Sequence, residues 1–489
     1  MPINSDLYIF AIGGTGARVV KALTILLASG ADIQAKRVIP IFIDPDMQNG
    51  DTVRTIELLK LYQNIHKQLG YNGYQEKGFF KTEISTLKDL DNTGRIADNS
   101  FRFSFGAGGI TKTFEDFLEY SQLETETQDL IQLLFSEDNL KKKLDVGFRG
   151  SPNVGTIVLN SIKDSKEWEF FGDCYNADNK DRIFIVSSIF GGTGASGFPL
   201  ILENLRIGEE SKNNLTKAPQ IKNARIGAVS VMPYFDVQSD NSSAINSNIF
   251  TTKTKEALLY YENNLPKLDS LYYMGDTFKK QYKNSEGGLN QKNEAHFIEI
   301  MAATSMLHFM EQPDRLWENT SGTQHYAFGI KEDAKEINFS HFYDGTKKDI
   351  YKPMVCFHYF AHYIKNTIEK DLNKKDYAKR MNLKDKYLND NDVFYPYLKD
   401  FVAKYYIFME EMLTNERSFV PFDFKNSNLN KMLKDKEIKT GWLVSGISED
   451  TFTTQLNNFE KESSEQSEKK FMKIMYQAME KVFDKNIIG

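Results

Sequence analysis

Cysteine is nearly absent from this chain of 489 residues: only Cys174 and Cys356 occur, in different surroundings and without CxxC spacing. This excludes a disulfide framework and a thiolate zinc site, and it fits a reducing compartment. An excess of basic charge is also missing. With 61 Lys and Arg against 67 Asp and Glu the formal net charge is −6, so nothing drives general attraction to a phosphate backbone and direct nucleic-acid binding is not expected. No window approaches the roughly 20 apolar residues that a membrane-spanning helix requires. The opening MPINSDLYIF shows neither a basic n-region nor a cleavable apolar stretch, and the expectation is a cytoplasmic protein. The seven histidines include no HExxH motif, and no GxSxG or Cys/His arrangement supports covalent hydrolase chemistry. Proline and glycine, at 12 and 31, are too few for a low-complexity chain, whereas 40% hydrophobic and 13% aromatic residues indicate a folded one. The length alone suggests two or three domains.

What is present is an alternation of apolar runs and glycine clusters. Residues 6–12 (DLYIFAI) read as a strand, GGTG at 13–16 as a turn, and the following ARVVKALTILLASG as a helix ending at Gly30. RVIPIFID (37–44) is a second strand closing a βαβ opening, which sets the class as α/β with a parallel sheet. Residues 51–150 read mostly as polar helix, an insertion interrupted by the Gly-rich stretch 101–114. VGTIVLNSI (154–162) and RIFIVSSIF (182–190) read as strands, the second running into GGTGASG (191–197) and another helix. ARIGAVSVMPYF (224–235), LDSLYYMGD (268–276) and QHYAFGI (324–330) read as further strands, with a helix around 254–264. The stretch 293–311 is apolar nearly all round and is expected to be a buried central helix. From about 350 onward the pattern is helical, with a charged, Ser-rich break at 458–470.

Each glycine turn lies between a strand and a helix. Glycine lets the backbone approach a ligand, and exposed amides ahead of a helix N-terminus seat a phosphate. The first turn alone is compatible with a dinucleotide fingerprint, with Asp44 or Asp46 as the ribose-holding acid, although its spacing is GGxG and not GxGxxG. Neither turn carries the GK[ST] of a Walker loop. The repetition of GGTG some 180 residues later has no place in a dehydrogenase.

The second cluster, Phe190 followed by Gly191, Gly192, Thr193, Gly194, Ala195, Ser196 and Gly197, resembles the GGGTGSG-like loop of the tubulin/FtsZ superfamily of GTP-binding, filament-forming proteins, with Phe for the first glycine. Other segments follow that family's order. Gly13, Gly14, Thr15 and Gly16 resemble its first phosphate loop, with Arg18 where FtsZ has a base-contacting Asn. Asp44-Pro45-Asp46-Met47-Gln48 is similar to NTDxQ, and Gly106, Ala107, Gly108 and Gly109 resemble the loop that meets the γ-phosphate. Pro233 falls in a strand end resembling TKPF, and Asn293 with Glu294 matches the pair that reads guanine. The resemblance covers residues 1–311, about two thirds of the chain. It implies a GTP/GDP site that includes Asp44, Asp46 and Gln48, with Mg2+ held through water by Asp46, and head-to-tail self-association.

In that family, acids from a loop after the central helix complete hydrolysis on the neighbouring subunit. Here NxDxxD is missing; the expected distance offers Asp314 and Glu318, and the later segment INFSHFYD offers Asp344. The resemblance therefore leaves two readings, a GTPase coupled to assembly and a nucleotide-binding regulator that does not polymerise, with a Rossmann-type NAD enzyme as the third. Expected domains are 1–311, nucleotide-binding with the central helix 293–311, and 312–489, a helix-rich part for assembly or for docking a membrane-associated or other protein partner.

Overall fold

A computed structural model describes residues 4–71, 76–97, 101–103, 105, 111–145, 147–148, 151–237, 247–277, 280–282, 288–318, 320–327, 330–331, 333–388, 392–426, 429–434, 449–463 and 467–486. Its strands are β1 (Asp6–Ile12), β2 (Arg37–Ile43), β3 (Glu83–Ile84), β4 (Arg182–Ser188), β5 (Arg225–Val231), β6 (Phe235–Val237), β7 (Ser270–Met274), β8 (Lys280–Tyr282), β9 (Gln324–Ala327), β10 (Glu336–Ile337) and β11 (Ser418–Phe419). Seven of them form one sheet in the order β3-β2-β1-β4-β5-β7-β9, every pair parallel. The short pairs β6-β8 and β10-β11 stand apart. The helices that cover and extend the sheet are α1 (Gly13–Ala28), α2 (Gly50–Leu69), α3 (Pro152–Leu159), α4 (Lys166–Cys174), α5 (Gly192–Arg206), α6 (Ser247–Asn264), α7 (Phe297–Glu311), α8 (Asp344–Asn366), α9 (Phe394–Leu413), α10 (Glu449–Glu462) and α11 (Ser467–Asn486).

All residues of β1 and β4 are buried, as near-continuous apolar runs require when both faces of a parallel strand are covered. Side chains alternate along β1. Tyr8 and Phe10 meet Phe171 of α4, and Ile12 lies under Gly197 of α5, while Ala11 lies under Gly16 of α1. Helices thus lie on both faces. Pro40 is tolerated within β2 because β3 pairs only with Arg37 and Val38, leaving the proline nitrogen no ladder partner to lose.

Three expectations are corrected. Residues 154–162 are not a strand but α3 and a following 3-10 turn: Pro152 starts the helix, Val154, Val158 and Leu159 face inward, and Ile157 faces out. A short apolar run does not distinguish the two periods. Residues 51–69 are likewise no polar insertion but most of the crossover helix α2, whose Leu58, Leu59, Tyr62 and Ile65 are buried. The central helix starts four residues later than expected, at Phe297, for reasons given below.

One hydrophobic cluster runs from the sheet into the C-terminal helices. Phe79 and Phe80, after α2, stack among Phe357 and Phe360 of α8, Phe401 of α9 and Tyr476 of α11. The region after residue 344 is helix-rich, and among the described residues no helix is long and apolar enough to cross a membrane.

Candidate nucleotide site

Strand order reverses direction between β1 and β4: the chain moves outward from β1 to β2 and β3 on one side and from β4 to β5 and β7 on the other. Ligands of open α/β sheets bind at such a switch point, beyond the carboxyl ends of the strands. Both glycine turns are there. A Cβ on Gly13 would stand 3.5 Å from the Thr193 Cβ, so the turns touch and the N-termini of α1 and α5 converge on one place.

The glycines answer to backbone crowding. Gly13 has φ +67°, a conformation side chains disfavour. A Cβ on Gly16 would meet the Ala11 carbonyl carbon at 2.7 Å, and one on Gly194 the Ser188 oxygen at 2.5 Å. Each helix thereby presses onto the strand before it. Gly191, Gly192, Thr193 and Ala195 remain half-buried at the mouth, and Ser196 is buried with its hydroxyl donating to the Gly192 carbonyl at 2.7 Å. Phe190, just before the second glycine turn, packs against Tyr234 and Phe235, the residues after Pro233. Ala195 and Ser196 also line a cleft of about 470 Å³ with Phe190, Leu200 and Tyr260. Gly106, Ala107, Gly108 and Gly109 lie outside the described residues.

Beneath the turns is a buried charge network. Arg18 donates through Nη1 to Asp51 Oδ2 at 2.5 Å, through Nε to Glu299 Oε1 at 2.9 Å, and through Nη2 to Tyr234 Oη at 2.7 Å and Thr15 Oγ1 at 3.1 Å. Asp51 also accepts from Arg54 Nη2 at 2.7 Å, and Arg54 Nη1 donates to Glu411 of α9 at 2.6 Å. Lys21 reaches the same Glu411 at 3.3 Å. Three cations thus meet three carboxylates. Burial lowers Lys21 and raises Glu299, while at Arg18 the cost of burial is outweighed by Tyr234, Asp51 and Glu299. Arg18 is therefore held by four protein groups and joins α1 to α2 and α7.

The network also fixes the approach to the central helix. Asn293 N–H donates to Asp51 Oδ1 at 3.2 Å, and its carbonyl accepts from Arg54 at 2.7 Å. Ala295 N–H donates to Glu411 at 2.9 Å, and His296 caps α7 by accepting from Ile298 N–H at 3.1 Å. These bonds hold residues 293–296 extended and delay the helix to Phe297. The Asn293 backbone is gripped from both sides, and its half-buried side-chain amide has no partner among the described residues.

Asp44 and Asp46 follow β2 and are buried. Asp46 Oδ1 accepts from Gln48 N–H at 3.0 Å and Oδ2 from Gly288 N–H at 2.6 Å, tying the turn to the segment before Asn293; the Gln48 side chain is exposed. Burial, then the charge of Asp46, pushes the Asp44 carboxyl up to about 7. This all-oxygen donor set suits a hard cation such as magnesium, with lone pairs left on Asp46 beyond the two bonds it accepts. Elsewhere, His358 and His362 are four residues apart, but His358 stacks on Phe422, and no group of three metal-ligand side chains exists among the described residues.

The acids expected to act in hydrolysis lie elsewhere. Asp314 accepts from Lys180 at 3.0 Å and from Arg182, the first residue of β4, at 2.9 Å. Burial would raise it, but Lys180 and Arg182 hold it below its ordinary value. Glu318 is 4.0 Å from Arg225, the first residue of β5. Both therefore sit at the amino end of the sheet, one strand length, roughly 23 Å, from the glycine turns. Asp344 starts α8, exposed and paired with Lys331 at 2.9 Å. Within one chain none of the three joins the turns.

Asp51, Glu299, Tyr234, Arg54 and Glu411 were not expected from the sequence. A signal existed for one of them: Glu299 is the only carboxylate in the first 14 residues of α7, as Arg18 and Lys21 are the only charges in α1. Charges isolated in apolar helices need partners.

No protein-family model matches the chain, and no curated protein matches it. Among solved structures it is similar to CetZ from Methanosaeta thermophila strain DSM 6194, at 14% identity and a TM-score of 0.24, over 63% of this chain and 54% of that one. The chain thus spans about half the length of that structure.

Proposed function

We propose that the chain binds GTP or GDP at the junction of β1 and β4 and associates head to tail, as a divergent tubulin/FtsZ-like protein. The observation that carries this reading is the contact of two glycine turns at the switch point, each opening a helix, with Asn293 held beside them and its amide unused. Amides at Gly13 to Gly16 and Gly191 to Gly194 would hold the phosphates through the positive ends of α1 and α5. The Asn293 amide, which offers both a donor and an acceptor, would read the guanine edge. Arg18 positions this reader through Asp51 and does not touch the base. Magnesium would supply charge neutralisation at the phosphates, with Asp46 holding it through water.

Asp314 and Glu318, at the opposite end of the sheet, would meet the next subunit's nucleotide when copies stack head to tail, a heterologous contact that builds a filament if it does not close. A second reading, a nucleotide-binding regulator without hydrolysis, draws on the ion pairs that occupy Asp314 and Asp344. Sedimentation with GTP and with GDP, run alongside phosphate release, separates the two. A GTP-dependent pellet and a release rate that rises with protein concentration support the first; tight GTP binding with neither supports the second; bound NAD without guanine nucleotide removes both.

A further inference from the structure

The helix Thr125–Leu134 turns one face inward through Ile131, with Phe135 beyond it packed on Phe114. The flank beside that contact is apolar and open. Leu130, Leu133 and Leu134 are 54%, 82% and 61% exposed, at the i, i+3, i+4 spacing of one helical stripe. Scattered exposed leucines need no explanation, but three on one stripe mark a covered surface. Charge around the stripe is of one sign: residues 114–140 contain eight Asp and Glu and no Lys or Arg. Of the three lysines that follow, Lys141 turns back on Glu137 and Lys142 on Asn139 and Ser151, while Lys143 is exposed. A face of this kind repels an anionic lipid surface and suits a basic protein face with an apolar contact of its own.

Such a face exists on the same chain. Residues 370–388 hold seven Lys and Arg against three Asp, and one of these, Asp371, is buried against the Tyr363 and Tyr377 hydroxyls. Lys370, Lys374, Lys379 and Lys384 are exposed and without an ion pair among the described residues, and Leu388 beside them is 59% exposed.

We infer that the leucine stripe of one copy docks on the basic face at 370–388 of a second copy. The two surfaces differ, so the contact is heterologous: in a pair, one copy retains its basic face and the other its leucine stripe. This rests on the proposed self-association and names two further surfaces that take part in it, besides the glycine turns and Asp314.

Charge reversal tests it. In the full-length protein, Glu124→Lys, Glu126→Lys and Asp129→Lys together make one variant, and Lys374→Glu, Lys379→Glu and Lys384→Glu make the other; all six side chains are exposed, so folding is preserved. Sedimentation velocity is run on each alone, on an equal mixture, and on the wild type at about 50 mM and about 500 mM salt. The expected result is wild-type association weakened tenfold or more by salt, loss of association in each variant alone, and its return in the mixture. Leu133→Ser should weaken wild-type association tenfold without changing the circular dichroism. A wild type that stays monomeric, variants that associate unaided, or a mixture that stays dissociated would overturn the inference. GTP binding, measured on the same samples, keeps the two readings apart: association without GTP binding removes only the nucleotide assignment, and GTP binding without association removes only the docking one.

Discussion

The two ends of the parallel sheet are built from different materials. At the carboxyl end, backbone amides and a sealed group of three cations and three carboxylates do the positioning, and glycines fit because strand backbone stands where a Cβ would be. At the amino end, side chains of mixed exposure pair across short gaps, as Asp314 does with the exposed Lys180 and the buried Arg182. The central helix joins them, its first turn carrying Glu299 to Arg18 and its last turn offering the Phe309 carbonyl to Arg182 at 2.7 Å. Fifteen residues of helix span about 22 Å, so this one element fixes the separation of the ends. A sealed end tolerates little change; an end of mixed exposure tolerates more.

The largest effect should come from the glycine turns. Gly194→Val puts carbon within 2.5 Å of the Ser188 oxygen, and the expected outcome is loss of GTP binding together with a lowered melting temperature, read by nucleotide titration and calorimetry. Arg18→Met leaves Glu299 buried without its ion-pair partner and Asp51 with Arg54 alone, and should cost about 3–5 kcal/mol by chemical denaturation. A cost under about 1 kcal/mol would mean that the carboxyl end is no more sealed than the amino end.

Asn293→Ala removes only the amide and should lower GTP affinity about tenfold, narrowing the preference for GTP over ATP while stability stays unchanged. Asp181, beside Arg182, tests the amino end through pH. Burial raises its carboxyl to about 6, although the N–H groups of Asp6 and Asn176 oppose the shift. A folded value above the unfolded value of about 3.9 means the folded state holds the extra proton, so stability falls as pH rises from about 4 through 6. Asp181→Asn should flatten that segment of the denaturation profile. The smallest effect belongs to Asp314→Ala, about 1 kcal/mol of stability and no change in GTP affinity, with phosphate release as the readout that separates a hydrolytic role from a structural one.

How far the sequence revealed this follows the same division. The strands at 6–12, 37–43 and 182–188 and the turns after them were legible because apolar runs and GGTG express local requirements of the backbone. The strand expected at 154–162 failed because its apolar run fits either period, and only the fold shows Gly155 packed on Ser196. The charge network was hidden for another reason. Its members lie up to 390 residues apart, from Lys21 to Glu411, and nothing local to α9 marks Glu411 as the partner of Lys21 and Arg54. The delayed start of α7 was equally out of reach, since Asp51 and Arg54 hold Asn293 from another helix.

The central claim is that the touching glycine turns form a guanine-nucleotide seat. Its most direct test is to denature the purified protein, identify the released nucleotide by chromatography, and titrate the stripped protein with GTP, ATP and NAD. The account predicts released GTP or GDP and saturable GTP binding that ATP and NAD do not displace and that Gly194→Val abolishes. Released NAD, or a stripped protein that binds no guanine nucleotide, would contradict it.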